Sequence, residues 1–431
     1  MLIQRYWLPI TAATALLLTA QAGAEETYGS APDPAAPLLT LVEARRLALD
    51  HQPLLQAQAA AVVAARQSAV SAGQLPDPKL KGGIADLTVT GADIGTLRRE
   101  TDTQFNIGIS QDLPRGNKLR LRSARAEAEA ERAERELVTD QLMLERDAGL
   151  AWVEVWLPQR ARELALATER EAALQAETVQ IGYSNGRNSQ AEVRTARVAL
   201  ALIRDEIAKL EQDSAHARSL LSRWLGEAAD RPLPERLPDW PEPRPLGELM
   251  QGLRSHPHIG IAAKEVDVAQ AGVALAKQAF KPDLSVELGY GYRPSFSDYV
   301  NLQIGIDLPI FTANRQNRDL AARLSELDRA EQLREDDFRQ HAAELRLNYG
   351  DWILLKGRLA RFDETILPEA QARIDAAQLA WGAGTGSLGA VLDARRALLD
   401  VQLRRLELET DRAKHALQLR YLGASAHGEE Q

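Results

Sequence analysis

The chain is 431 residues long, has a formal charge of -9 and contains no cysteine. It therefore has no disulfide framework, no cysteine for lipid attachment and no basic footprint for nucleic acid. Hydrophobic residues make up 45% of it but aromatic residues only 5%, which suits long, closely packed helices better than one thick globular core.

At the start of the chain, Arg5 precedes a mostly apolar run from Trp7 to Thr19 and the small-residue site Ala22-Gly23-Ala24. This pattern predicts a secretory signal peptide over residues 1–24, followed by a Pro-rich linker over 25–39. Beyond residue 24 no apolar stretch approaches the ~18 residues of a spanning helix, so any membrane crossing has to use strands.

The mature chain is an internal duplication, which fixes the architecture before any local reading. The first copy spans 40–225, a Pro-rich linker 226–244 follows, the second copy spans 245–424, and 425–431 is a tail. Gln52-Pro53, Pro76-Asp77 and Asp112-Leu113-Pro114 recur in the same order as His256-Pro257, Pro282-Asp283 and Asp307-Leu308-Pro309. Further on, Tyr183, Gly186, Ser189, Val193, Ala196, Arg197 and Leu200 match Trp381, Gly384, Ser387, Val391, Ala394, Arg395 and Leu398 at one constant offset.

Within each copy the order is helix, two strands, very long helix, tight turn, helix. Strands are expected at about 78–90 and 102–113, and again at 283–293 and 299–309. In the last of these, Val300, Leu302, Ile304, Ile306 and Leu308 alternate with Asn301, Gln303, Gly305 and Asp307, giving one apolar and one polar face. Such alternation fits strands that cross an outer membrane, and it also fits half-buried soluble hairpins. On the membrane reading, four strands cannot close a barrel, because single-chain barrels begin at about 8 strands and lipid-exposed edges are not tolerated. Neighbouring subunits would have to complete it, and three copies give twelve strands.

The long helices are expected over 117–181 and 314–379. At ~1.5 Å per residue, roughly 65 residues extend about 100 Å, far beyond an ordinary globular helix. Leu137, Leu144, Ala148, Ala151 and Val155 form a 3-4 seam, as do Ala342, Leu345, Tyr349, Trp352 and Leu359. Pro158 and Pro368 predict a kink or break in each. Each helix ends in a glycine-rich turn, at Gly182 to Gly186 and at Gly382 to Gly386. The second turn has Gly-x-Gly-x-Gly spacing but joins two helices without the preceding strand that a phosphate loop requires.

Strand pairs ending in Asp-Leu-Pro, a duplicated hairpin with Tyr183 or Trp381 three residues before glycine, and the string Val391-Leu392-Asp393-Ala394 together resemble the TolC-like outer-membrane efflux proteins. The resemblance covers the whole mature chain. It implies a mainly α fold with a small β part: a long α-helical coiled-coil barrel crossing the periplasm, joined to a twelve-stranded outer-membrane β-barrel made by a homotrimer. It also implies a passive duct, not an enzyme, embedded in outer-membrane lipid of a Gram-negative cell. Its partners would be a periplasmic adaptor and an inner-membrane RND-type pump docking at the hairpin tips.

That resemblance makes Tyr183, Gly186, Ser189, Trp381, Gly384 and Ser387 candidates for adaptor contact. It makes Asp393 and Glu192 candidates for the periplasmic entrance, where rings of acidic side chains attract cations. Ala390 stands where relatives often have a second acid, and Asp393 also reads as an ordinary solvated helix residue.

Leu75-Pro76-Asp77-Pro78 and Gln111-Asp112-Leu113-Pro114-Arg115-Gly116 resemble the branch that serves cobalt-zinc-cadmium and copper resistance pumps, which implies heavy-metal cations as cargo. The residues themselves predict no cofactor and no resident metal. His256-Pro257-His258 has ligand-type side chains but reads first as a helix start, since its counterpart Gln52-Pro53 lacks them. Gly182-Tyr183-Ser184-Asn185-Gly186 has Gly-x-Ser-x-Gly spacing but is a turn between two expected helices, without the preceding strand of a nucleophile elbow, and neither His-Glu-x-x-His nor a Lys-bearing phosphate loop is present. Two rivals stay open: the same duct serving drug efflux or type I protein secretion, and a periplasmic coiled-coil scaffold with no barrel.

Overall fold

A computed structural model describes residues 37–50, 52–92, 94–95, 102–294 and 296–424. The expected signal peptide, most of the 25–39 linker and the 425–431 tail lie outside the described residues. In chain order the elements are α1 (Leu41–Leu47), α2 (Pro53–Ala72), β1 (Lys79–Ala85), β2 (Gln104–Leu113), α3 (Lys118–Ser184), α4 (Gln190–Leu225), α5 (Leu246–Gly252) and α6 (Pro257–Gln278). Then follow β3 (Leu284–Tyr292), β4 (Tyr299–Ile306), α7 (Gln316–Arg361), α8 (Leu367–Gly382) and α9 (Leu388–Leu422). Proline at the first helical position opens both α2 and α6, where its missing N–H would have no partner anyway.

α3 contains 67 residues, and at ~1.5 Å rise it is about 100 Å long. Ala126, Ala130 and Ala133, then Leu144, Ala148, Trp152 and Val155, are buried along one side of it. The small side chains let α2, α4, α6 and α9 approach closely.

Of the kink or break expected at Pro158, a break does not occur, and α3 continues through it as one helix. A mid-helix proline costs ~3 kcal/mol, but here Val153, Val155, Trp156 and Ala161 on either side are buried in the largest core cluster, which offsets that loss. At Pro368 the sequence expectation fits better. A proline ring crowds the carbonyl four residues back, and Phe362–Ile366 forms a π-helical turn just before Pro368, between α7 and α8. Arg405 on α9 bonds Asp363 inside this turn at 2.5 Å.

The core lies midway along the hairpins. Trp152 is fully buried and donates its indole N–H to the Leu39 carbonyl at 2.9 Å. Trp156 donates to the Pro234 carbonyl at 3.2 Å, and Arg231 bonds the carbonyls of Pro37 and Leu38 and the carboxylate of Glu43. The N-terminal segment and the linker after α4 are thereby wrapped around α3.

At one end of the hairpins the four strands form an antiparallel sheet in the order β1-β2-β3-β4. The strands are shorter than expected. β1 stops at Ala85, not near 90, because Asp86 turns the chain with a positive φ of 56°. β4 stops at Ile306, two residues before the Leu308-Pro309 step where a ladder donor is lost.

Register places Leu80, Ile109, Leu288 and Leu302 in one cross-strand row, all of them exposed. The opposite face carries Lys79 paired with Asp112 at 2.7 Å and Lys81 paired with Glu287 at 2.5 Å. It also carries Gly108, Gly289, Gly291 and Gly305. A Cβ on Gly291 would collide with the Tyr299 ring, which covers that glycine and donates its hydroxyl toward Asn106 at 2.9 Å. Among the described residues, the outer edges of β1 and β4 have no strand partner, and no helix is long and apolar enough to cross a membrane.

Candidate functional site

The far ends of the two hairpins hold the residues singled out in the sequence. α3 turns into α4 through Gly186 at φ 71°, and α8 turns into α9 through Gly384 at φ 75°. This left-handed conformation costs glycine little and most other residues more. The turns close with parallel bonds: the Gly186 N–H donates to Tyr183 at 3.0 Å, and the Gly384 N–H to Trp381 at 3.0 Å. The sequence match between the copies is thus a match of turn geometry.

Each turn hands over to the next helix through a serine cap. The Ser189 hydroxyl accepts the Glu192 N–H at 3.2 Å, and the Glu192 carboxylate accepts the Ser189 N–H at 2.7 Å, a reciprocal capping box. These bonds, first the one from the Ser189 backbone, hold the Glu192 carboxyl below the usual glutamate range. Ser387 caps α9 through the Ala390 N–H at 3.2 Å, and Ala390 has no carboxylate to return. Glu192 is therefore committed to its helix terminus, and the acid expected at its counterpart is missing.

Asp393 is placed differently. It lies exposed on α9 in the second turn and makes no hydrogen bond or ion pair among the described residues. Its carboxylate is open to solvent.

The structure also brings the two tips together. Val179, Val193 and Ala196 of the first hairpin share one buried cluster with Leu388 of the second, and Trp381 packs against it. Tyr183, the counterpart of Trp381, is exposed instead. Arg395 reaches from α9 to Glu171 on α3 at 3.0 Å, a second tie between the hairpins. The exposed residues of the double tip include Tyr183, Ser189, Ser387, the Gly186 and Gly384 turns, and Asp393, while Trp381 is half-buried.

A histidine group near the middle of the molecule was only half visible in the sequence. His256 accepts the His258 N–H on Nδ1 at 3.3 Å as the cap of α6, and donates from Nε2 to the Tyr421 carbonyl at 3.0 Å. His341, from the interior of α7, stacks against His258 with centroids 4.6 Å apart. Burial, then repulsion from His341 and His258, lowers the His256 pKa from 6.5 to about 4, against the opposing effect of the Tyr421 bond. His256 is neutral and structural. His341 lies in an ordinary helical seam, so only the three-dimensional packing reveals the group. Among the described residues, no set of three His, Cys, Asp or Glu side chains is arranged to hold a metal ion.

A family model described as outer membrane efflux protein matches two segments, residues 44–227 and 249–424. The cobalt-zinc-cadmium resistance protein CzcC of Cupriavidus metallidurans is 26% identical over 416 residues, which is 94% of this chain and 96% of that one. A solved structure of CusC superposes with a TM-score of 0.79 at 20% identity, over 90% of this chain and 92% of that one. The outer membrane protein VceC from Vibrio cholerae superposes with a TM-score of 0.75 at 20% identity, over 89% and 96%.

Proposed function

The chain belongs to the outer membrane efflux protein family and has the TolC-like fold, and from that premise we propose that it is the exit duct of a tripartite efflux system. Three copies join their four-stranded sheets into a twelve-stranded barrel in the outer membrane of a Gram-negative cell. Their paired hairpins continue it as an α-helical tube across the periplasm. The duct conducts and does not catalyse.

The observation that carries this reading is the two-faced sheet. Its apolar rows are exposed on one side, its charged and glycine positions line the other, and among the described residues both of its edges are unpaired. Soluble half-buried sheets cover their apolar face, and this one does not. Lipid on the outside, water on the inside and neighbouring copies at the edges satisfy all three features.

A periplasmic adaptor and an inner-membrane RND-type pump dock at the double tip, on Tyr183 and the Gly186 and Gly384 turns. Asp393 faces the entrance, where three copies form a ring of carboxylates that concentrates cations without binding them tightly. Heavy-metal cations are the proposed cargo, supported by the likeness to CzcC along nearly the whole chain.

Growth tests this assignment. A deletion strain is compared with its parent in graded copper, silver, zinc, cobalt and cadmium beside a panel of dyes and antibiotics. Hypersensitivity confined to metals and rescued by the intact gene is expected. Sensitivity to drugs alone would assign the same duct to drug efflux, and a defect only in an exported protein would assign it to type I secretion.

A further inference from the structure

The internal duplication specifies how the barrel closes between subunits. In the sequence, Pro76-Asp77 recurs at Pro282-Asp283 with an offset of 206, and Asp112-Leu113-Pro114 recurs at Asp307-Leu308-Pro309 with an offset of 195. The structure supplies an independent check of these offsets. Applied to the β1–β2 pair Lys79 and Ser110, they give Ser285 and Gly305, which are paired in β3–β4. Applied to Ile84 and Phe105 they give Tyr290 and Val300, also paired. The two hairpins therefore have one register, and sequence equivalence is spatial equivalence.

Under this repeat, β2 corresponds to β4 and β3 to β1. The junction between hairpins inside the chain, β2 with β3, then has a counterpart between chains, β4 with β1 of the next copy. Strand directions agree, because β4 and β1 are antiparallel in the same sense as β2 and β3.

We propose that the subunit seam adopts the register of the β2–β3 junction. Asp112 opposite Ser285 becomes Asp307 opposite the partner subunit's Lys79, and Gln111 opposite Val286 becomes Ile306 opposite the partner subunit's Leu80. Ile107 opposite Tyr290 becomes Leu302 opposite the partner subunit's Ile84.

One consequence of this register, and one feature not used in building it, accord with the fold. Every apolar-face residue meets an apolar-face position and every polar-face residue a polar one, which a slip of one residue would reverse throughout. An acid and a base also meet at the seam: Asp307 is exposed in the single chain, and Lys79 is held from its other side by Asp112. Opposite charges on facing strands stabilise a pair, and a slip of two residues in one direction would instead set Asp307 against Asp77.

This inference rests on the trimer reading, and the test separates the two. The chain has no cysteine, so introduced pairs report cleanly. Full-length protein carrying Asp307→Cys with Lys79→Cys is oxidised in outer membranes and run on a denaturing gel, beside the second in-register pair Gly305→Cys with Lys81→Cys. The slipped pair Asp307→Cys with Lys81→Cys is the control, since its diagonal separation of ~7–8 Å exceeds what a disulfide spans. Covalent dimers and trimers from both in-register pairs, reversed by reductant and absent from the slipped pair, are the expected result. Linking of the slipped pair, or no linking by any pair in particles whose native mass is three chains, overturns the register and leaves the trimer standing. A native mass of one chain removes the trimer and the register with it.

Discussion

The Ser189 hydroxyl and the Glu192 carboxylate grip each other across the first turn of α4, at 3.2 Å from the Glu192 N–H and 2.7 Å from the Ser189 N–H. This pairing makes Glu192 part of the tip's framework. Losing such a cap costs ~1 kcal/mol, which is about a fivefold change in a local opening equilibrium. Amide exchange in the first turn of α4 should therefore quicken about fivefold in Ser189→Ala or Glu192→Ala. Exchange rates indistinguishable from the parent would show that the box does not hold the tip.

Asp393 should behave in the opposite way. Asp393→Asn is expected to leave exchange and folding unchanged but to lower the preference of reconstituted channels for cations over anions, read as a shift of reversal potential across a salt gradient. Glu192→Gln should not move that potential. An unchanged potential in Asp393→Asn would make Asp393 an ordinary solvated helix residue.

His256 links stability to pH. Its folded pKa of about 4 lies below its ordinary value of 6.5, so between those values the unfolded chain binds more protons. Its contribution is fully present above pH 6.5 and is lost as pH falls toward 4, a change of about 3 kcal/mol at most. His256→Asn keeps a capping acceptor but cannot titrate. Its melting temperature should fall less steeply than the parent's between pH 6.5 and 4, and parallel curves would contradict the assignment.

Trp152 anchors the wrap of the N-terminal segment around α3. Truncation of a fully buried tryptophan costs about 3–5 kcal/mol, and here it also strands the Leu39 carbonyl. Trp152→Ala should lower the thermal midpoint of the helical signal strongly, and proteolysis should open the region around Leu39 first. A midpoint equal to the parent's would remove Trp152 from the core account.

Much of this molecule was legible in the sequence because its order is repetitive. Alternation from Val300 to Leu308 gave the strand and its faces, and the match of Gly186 with Gly384 gave both turns. The pattern could not show where packing overrules a local rule. Pro158 was expected to kink or break α3, and buried neighbours hold the helix unbroken through it. Glu192 and Asp393 were both candidates for the entrance, yet Glu192, three residues after Ser189, closes a capping box, and Asp393 makes no such bond among the described residues. His341 carried no signal at all, since its meeting with His258 depends on α6 and α7 lying side by side.

The central claim, that the four strands are one third of an outer-membrane barrel, is most directly tested by the native mass of full-length protein extracted in mild detergent from separated membranes. We expect a particle of three chains found in the outer-membrane fraction. A single chain, or protein recovered from the periplasm without detergent, would contradict the duct and favour a periplasmic coiled-coil scaffold.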